Sequence, residues 1–326
     1  MMELLKKLTQ TDGVSGNEAA VRDVIKNEIK KYCDEISIDA MGNIIAHKNG
    51  KGKRVMLAAH MDEIGVIATY TDDNGFIRVN AVGGLYTKDL VGRRVRFANG
   101  VVGVIGSEEE EFEKKPRLSK LYVDIGAKNK KEAEKYVNIG DTAVFCGEYY
   151  QKGSVIVSKA LDNRTGCLVL IETMKKIKKN KNDLYFVFTS QEEVGLRGAG
   201  VAAYAVEPEY AIAVDVTDVG DTPNAPKMAV KLGGSAAIKV MDRSILCDAE
   251  VRNTLIAVAK ENKIPYQMEI MTDGGTDAGT IHLSRSGVKT GGISVPTRYI
   301  HTPSELVSEE DIKACIELAA KAAEAF

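Results

Sequence analysis

Tryptophan is absent from this chain of 326 residues, and histidine occurs only four times. Without an indole, the sequence lacks the commonest platform on which a protein stacks a sugar ring. The five cysteines, at 33, 146, 167, 247 and 315, are odd in number, scattered and without C-x-x-C spacing. That excludes a zinc ribbon and a disulfide framework, and a reducing, cytoplasmic location is expected. No apolar run approaches the ~20 residues of a membrane span. The opening "MMELLKKLTQ" is a short amphipathic stretch without the apolar core of a secretory signal. Charge of one sign is missing too: 44 basic residues face 46 acidic ones, for a formal charge of -2. No nucleic-acid surface is expected from that balance. The one basic run, "KKIKKNK" at 175–181, reads as the last turns of a helix, where lysines suit the macrodipole.

What is present is an alternation of helix and strand, interrupted once. "SGNEAAVRDVIKNEIKKY" opens with Ser15-x-x-Glu18, the pattern of a capping box, and carries apolar residues at helical spacing. Strand-like "EISIDA", "GNIIAHK" and "RVMLAAH" follow. From about residue 66 the texture becomes β-rich. "VIATYTDDNGFIRVNAV" and "RRVRFANGVVGVIG" place strand-forming arms around Asn-Gly, a hairpin signal. The strands "KLYVDIG", "DTAVFC" and "SVIVS" continue the pattern, and the charged "SEEEEFEKKPRLS" between the second hairpin and "KLYVDIG" reads as an exposed loop. After residue 158 the helix–strand alternation returns, ending in a helix with Ser308 as its N-cap. The expected architecture is α/β: a mixed sheet with helices on both faces, in parts 1–65 and 158–326, interrupted by an all-β, barrel-like module at 66–157.

Chemistry-bearing residues collect in five segments. "LAAHMDEIGV" (57–66) runs an apolar strand into His60, Asp62 and Glu63. Strand alternation directs His60 and Asp62 one way and Met61 the other. "SKALDNRTG" sets Asp162 before an apolar helix, and "FVFTSQEEVG" ends a buried strand with Glu192 and Glu193. "AIAVDVTD" carries Asp215 near a strand end, and "YIHTPSE" offers His301. In open α/β sheets, binding groups gather where the strands' carboxyl ends open into a crevice. Imidazole and carboxylate together suit zinc or a similar divalent cation, or a pair sharing one carboxylate. Each segment also has an ordinary reading: a helix cap for Asp162, a solvated turn for Glu192 and Glu193, an Asx turn for Asp215, a hydrogen-bonded loop residue for His301. Spacing alone leaves both readings open.

"HMDEIG", "ALDNRTG", "SQEEVGLRGA", the strand-end Asp215, "GGTDAG" and "HTPSE" occur in the order seen in the tetrahedral aminopeptidases. That family of dinuclear-zinc enzymes includes glutamyl aminopeptidases and members once labelled endoglucanases, and the chain resembles it nearly end to end. The resemblance implies two divalent metal ions per subunit, zinc or alternatively cobalt or manganese. It implies His60 and Asp215 as terminal ligands of one ion, Glu193 and His301 as those of the other, and Asp162 as the bridge, followed by a cis peptide. It implies Asp62 as the carboxylate orienting His60, and Glu192 as the general base acting on water acidified between the cations. Short peptides with a free amino terminus are the implied substrates, and a tetrahedral homododecamer is the implied assembly. Asp277 and His282 are not expected as ligands, and His47 is expected to be structural. One departure is the segment "VGGLYTKDL", where family members commonly carry tryptophan after the glycine pair.

A carboxypeptidase or amino-acid deacylase on the same metal scaffold is the main alternative, because the ligand set is shared. An endoglucanase would need two carboxylates but neither histidine. A metal-storage or assembly protein would need the ligands but not Glu192.

Overall fold

The computed structural model describes residues 1–108, 117–223 and 225–326. Most of the acidic stretch read as an exposed loop, residues 109–116, lies outside the described residues. Helices α1 (Met2–Gln10) and α2 (Ala19–Ile29) precede strands β1 (Glu35–Ile38), β2 (Ile44–Lys48) and β3 (Arg54–His60). Strands β4 (Gly65–Thr71), β5 (Ile77–Val82), β6 (Arg94–Phe97), β7 (Val102–Ser107), β8 (Leu121–Asp124) and β9 (Thr142–Phe145) then close a barrel in the order β4-β5-β8-β7-β6-β9. The short helix α3 (Lys130–Ala133) lies between β8 and β9. The chain continues through β10 (Tyr150–Lys152), β11 (Val155–Ser158), α4 (Leu161–Lys176), β12 (Asp183–Thr189), α5 (Arg197–Val206) and β13 (Tyr210–Thr217). It ends with β14 (Ala236–Met241), α6 (Ala249–Glu261), β15 (Tyr266–Ile270), α7 (Ala278–Ile281), β16 (Lys289–Arg298), β17 (Glu305–Ser308) and α8 (Glu309–Ala322).

Strands outside the barrel form one mixed sheet of eleven. Its centre, β12-β3-β13-β16, is parallel, while β2 and β17 flank it antiparallel. Parallel strands covered on both faces read as continuous apolar runs, and "RVMLAAH" and "DLYFVFT" are such runs. Alternation sorts their side chains. Val55, Leu57 and Ala59 of β3 and Phe186 and Phe188 of β12 enter the core shared with α1, α2, α4, α6 and α8. Met56, Ala58 and Val187 enter a second core with α5 and Ile281 of α7. Helices therefore cover both faces, as the α/β reading requires. Among the described residues, no helix is long and apolar enough to cross a membrane. All five cysteines are free.

The barrel encloses its own core around Val66, Ile77, Val95, Phe97, Ile105, Val123 and Phe145. Its two sequence-legible hairpins turn at Asn74-Gly75 and Asn99-Gly100, and both glycines have positive φ, at 92° and 90°. The barrel's last strand is β9; β10 and β11, grouped with the β-rich module on texture, pair instead into the large sheet through β17.

Two local expectations are corrected. Ser15 does not cap α2: its hydroxyl donates to Asp62 Oδ2 at 2.6 Å, and the residue before the helix, Glu18, instead accepts Gly16 N–H at 2.7 Å. A buried carboxylate outcompetes the helix end for that hydroxyl. The lysine run also extends beyond α4, which ends at Lys176; only Lys175 and Lys176 lie in its last turn.

Glu63 is accounted for structurally. Its Oε1 accepts from Gly13 N–H at 3.0 Å and from Arg164 at 3.1 Å, and its Oε2 from Lys159 at 2.6 Å. Arg164 is fully buried and also donates to the carbonyls of Met61, Leu8 and Thr11. This cluster ties α1, the end of β3 and the start of α4 together. Arg164→Met should therefore lower unfolding free energy by about 3–5 kcal/mol, because it strands buried acceptors. Urea denaturation checks this, and a loss below about 1 kcal/mol would mean that the cluster does not brace the fold.

Candidate metal centre

Four parallel strands deliver their carboxyl ends to one cleft. His60 is the last residue of β3, Asp215 lies near the end of β13, and Glu192 and Glu193 follow β12. His301 sits in the turn between β16 and β17. Asp162 precedes the regular turns of α4: it and Asn163 have non-helical φ/ψ, and the bond between them is cis. The capping role open to Asp162 falls to its neighbour, since Asn163 Oδ1 accepts Gly166 N–H at 3.0 Å.

Side chains far apart in sequence thus meet in two trios. His60, Asp162 and Asp215 form one; Asp162, Glu193 and His301 form the other, with ligand-capable atoms within 4.8 Å of one another in each. His60 Nε2 lies 3.0 Å from Asp162 Oδ1 and 3.6 Å from Asp215 Oδ1. His301 Nε2 lies 3.1 Å from Glu193 Oε2 and 3.5 Å from Asp162 Oδ2. The two oxygens of Asp162 therefore face different histidines. Glu192 belongs to neither trio, and its Oε2 is 4.0 Å from His60 Nε2. The side chains of Glu192, Glu193 and Asp215 are all largely buried, which rules out a solvated turn at 192–193.

Behind His60, Asp62 is fully buried, with Oδ1 3.5 Å from His60 Nδ1. Met61 enters the helix-covered core beside Ala59, so the alternation read from the sequence holds. Asp62 also accepts the backbone N–H of Glu192 at 3.0 Å and of Glu193 at 3.2 Å. Glu305, which the sequence reading passed over inside "HTPSE", does likewise for the other half: its Oε2 accepts Asp162 N–H at 2.9 Å and its Oε1 accepts His301 N–H at 3.0 Å. The available signal was an acidic residue entering the apolar strand "ELVS".

The barrel contributes the near wall. Gly83, at φ 85°, is packed so that a Cβ would lie 3.2 Å from that of Glu193, and a Cβ on Gly84 would lie 2.9 Å from His301 Nδ1. Only glycine permits that approach. The cleft, of about 420 Å³, is lined beyond the trios by Tyr86, Leu196, Met271, Ile300, Asp218 and Asp273 among others. Tyr86 places an aromatic ring close to where tryptophan was expected. Asp277 accepts from the Thr189 hydroxyl beneath the site, and burial raises its pKa to about 7. His282 bonds its own helix at Ala278, and His47 pairs with Asp183 at 2.7 Å while stacking on Tyr185.

Divalent cations fit this donor set. Ligands about 2.0–2.1 Å from a tetrahedral zinc lie about 3.3 Å from each other, and the four histidine–carboxylate separations within the trios bracket that value. Glu193 Oε1 is buried without a hydrogen-bond partner. Burial raises the pKa of Glu192 well above the carboxylate range, and Asp215 and Glu193 add to the rise against the opposing His60. Asp215 and Glu193 are raised by burial as well, while imidazole, hydroxyl and backbone donors hold Asp62 below its ordinary value despite burial. Burial opposes charge on His301, but Glu193, Asp162 and Glu305 outweigh it and lift its pKa to about 10. His60 is raised by its surrounding carboxylates in the same way.

The model of M42 glutamyl aminopeptidases matches residues 42–318. A relative from Acetivibrio thermocellus is 54% identical over 323 residues, covering 99% of this chain and 98% of its own. The lysyl aminopeptidase of Pyrococcus furiosus is 35% identical, covering 97% and 95%. Among solved structures, aminopeptidase APDkam598 from the archaeon Desulfurococcus kamchatkensis superposes with a TM-score of 0.94 at 39% identity, over 99% of this chain and 94% of that one. The Pyrococcus horikoshii TET1 peptidase, which can assemble into a tetrahedron or a large octahedral shell, gives 0.88 at 34% identity over 100% and 99%.

The surrounding carboxylates favour the protonated form of both imidazoles, and a coordinated nitrogen must lose its proton. Zinc uptake at neutral pH should therefore release protons, and the apparent affinity should rise with pH until His301 titrates near 10. Calorimetry in buffers of different ionisation heat counts them; uptake without release would contradict this assignment of protons.

Proposed function

The chain belongs to the M42 glutamyl aminopeptidase family and is a peptide hydrolase, and from that premise we propose that it removes the N-terminal residue from short peptides at a two-cation centre. The observation carrying this reading is the shared Asp162, one oxygen facing each histidine. His60 and Asp215 would hold one cation, Glu193 and His301 the other, with Asp162 between them. Such a pair supplies Lewis acidity toward the scissile carbonyl and the attacking water.

The protein's own groups do the rest. Asp62 faces Nδ1 of His60 and so leaves Nε2 directed into the cleft. The same carboxylate holds the backbone of Glu192 and Glu193, which sets base and ligand in one frame. Glu192, outside both trios yet in the cleft wall, takes a proton from water and returns it to the leaving amine. A requirement for a free amine would separate this activity from a deacylase.

The outer cleft combines apolar Leu196, Met271 and Ile300 with Asp218 and Asp273, and no lysine or arginine lines it among the described residues. An apolar wall with carboxylates at hand accommodates an aliphatic or a cationic side chain and repels an anionic one. The lysyl aminopeptidase among the relatives accords with that preference. By analogy with neighbours that form a dodecamer or a tetrahedron, the working form is a homododecamer of this chain.

With zinc or cobalt supplied, peptides beginning with lysine or leucine should be cleaved at least about tenfold faster than those beginning with glutamate, and N-acetylation should abolish cleavage. Glutamate-first turnover as fast as the others would refute the charge preference, and cleavage of acetylated peptides would move the chain to the deacylases. Glu192→Gln should lose about 10²–10⁴ in kcat as expected for a general base, with the metal content unchanged by elemental analysis. An active, metal-loaded variant would remove Glu192 from that role. Native mass spectrometry should find a twelve-subunit species; a stable monomer would count against the assembly.

A further inference from the structure

Glu305 is the first residue of β17 and only 2% exposed. It stands where two segments leave the sheet: it is opposite Ser158 of β11, whose chain goes on to Asp162, and its neighbour Leu306 is opposite Arg298 of β16, whose chain goes on to His301. Neither destination has regular backbone geometry. Asp162 has φ -76° and ψ 108°, and His301 has φ 62°, in the left-handed region. Regular sheet or helix hydrogen bonds therefore do not hold these two residues in place. Glu305 does, through Oε2 to Asp162 N–H at 2.9 Å and Oε1 to His301 N–H at 3.0 Å.

Asp162 belongs to both trios and His301 to one. We propose that Glu305 is a positioning residue that sets the spacing of the two cation positions by clamping the backbones of the shared ligand and of a terminal one. It belongs to neither trio, and each of its oxygens accepts a backbone N–H. The counterpart is Asp62, which clamps Glu192 and Glu193. Two buried carboxylates thus divide the frame of the site between them. This inference rests on the two-cation reading.

The test titrates chelator-stripped wild-type, Glu305→Gln and Glu305→Asp proteins with cobalt(II) against a competing chelator. The visible spectrum reports ligand geometry, and circular dichroism with thermal melting checks the fold of each cation-free protein. Glutamine keeps one acceptor oxygen and turns an NH₂ toward the other N–H, so Glu305→Gln should bind cobalt about 10–100-fold more weakly at both positions, with a changed visible band. Aspartate, shorter by a methylene, should fall between. A folded Glu305→Gln with wild-type affinity and spectrum would overturn the proposal, even with a lowered melting temperature, because that would be a purely structural role. Should the glutamine variant not fold, the aspartate variant decides by the same titration, and wild-type cobalt binding there overturns it. A wild-type chain that takes up no pair of ions would overturn the two-cation reading instead, which keeps the two failures apart.

Discussion

Repulsion among buried carboxylates is the constraint that this architecture answers. Asp62, Asp162, Glu192, Glu193, Asp215 and Glu305 converge with only two imidazoles at one end of the parallel strands. Removing one ionised carboxylate from water without a partner costs several kcal/mol in a protein interior. The structure answers in two distinct ways. Asp62 and Glu305 accept hydrogen bonds, mostly from backbone N–H groups, and so serve as anchors, although burial and the neighbouring Asp162 push the Glu305 carboxyl well above its ordinary value. Asp162, Glu193 and Asp215 instead face one another and the histidines. That second arrangement is unfavourable for a cation-free protein, and it is the one that divalent charge would relieve.

The large sheet makes that concentration of charge possible. Its parallel centre brings four strand ends side by side while helices cover both faces, so the cleft lies at the strands' carboxyl ends. The barrel closes part of that opening, and it does so through Gly83 and Gly84, whose missing side chains let its loop lie against Glu193 and His301. A module that looks separate in sequence is thus part of the wall of the site. Beneath the floor, the Glu63–Arg164–Lys159 cluster fixes the ends of β3 and α4 relative to each other, and those ends carry His60 and Asp162.

Local rules served where the competing partner was also local. The Asn-Gly hairpins and the apolar parallel strands were legible because turn geometry and burial act over a few residues. So was the direction of His60 and Asp62. Ser15 was misread for the opposite reason: a capping box needs only residues 15 to 18, whereas its actual acceptor, Asp62, lies 47 residues away. The lysines after Lys176 follow helix composition but not helix geometry. Strand β11 has the texture of the barrel strands, and only its pairing with β17 assigns it to the other sheet.

The sequence by itself determined the alternating fold, the inserted β module and the identity of the chemical groups, because each is written in periodicity, turn residues or motif order. It also placed His60, Asp215 and the Glu192–Glu193 pair at strand ends. Tertiary structure alone decided which of them meet. The sharing of Asp162 between two histidines 241 residues apart in the chain, the double clamp of Glu305 and the acid-lined outer cleft all depend on strand order and loop closure. Those are set by long-range packing, and no local stretch of the chain carries them.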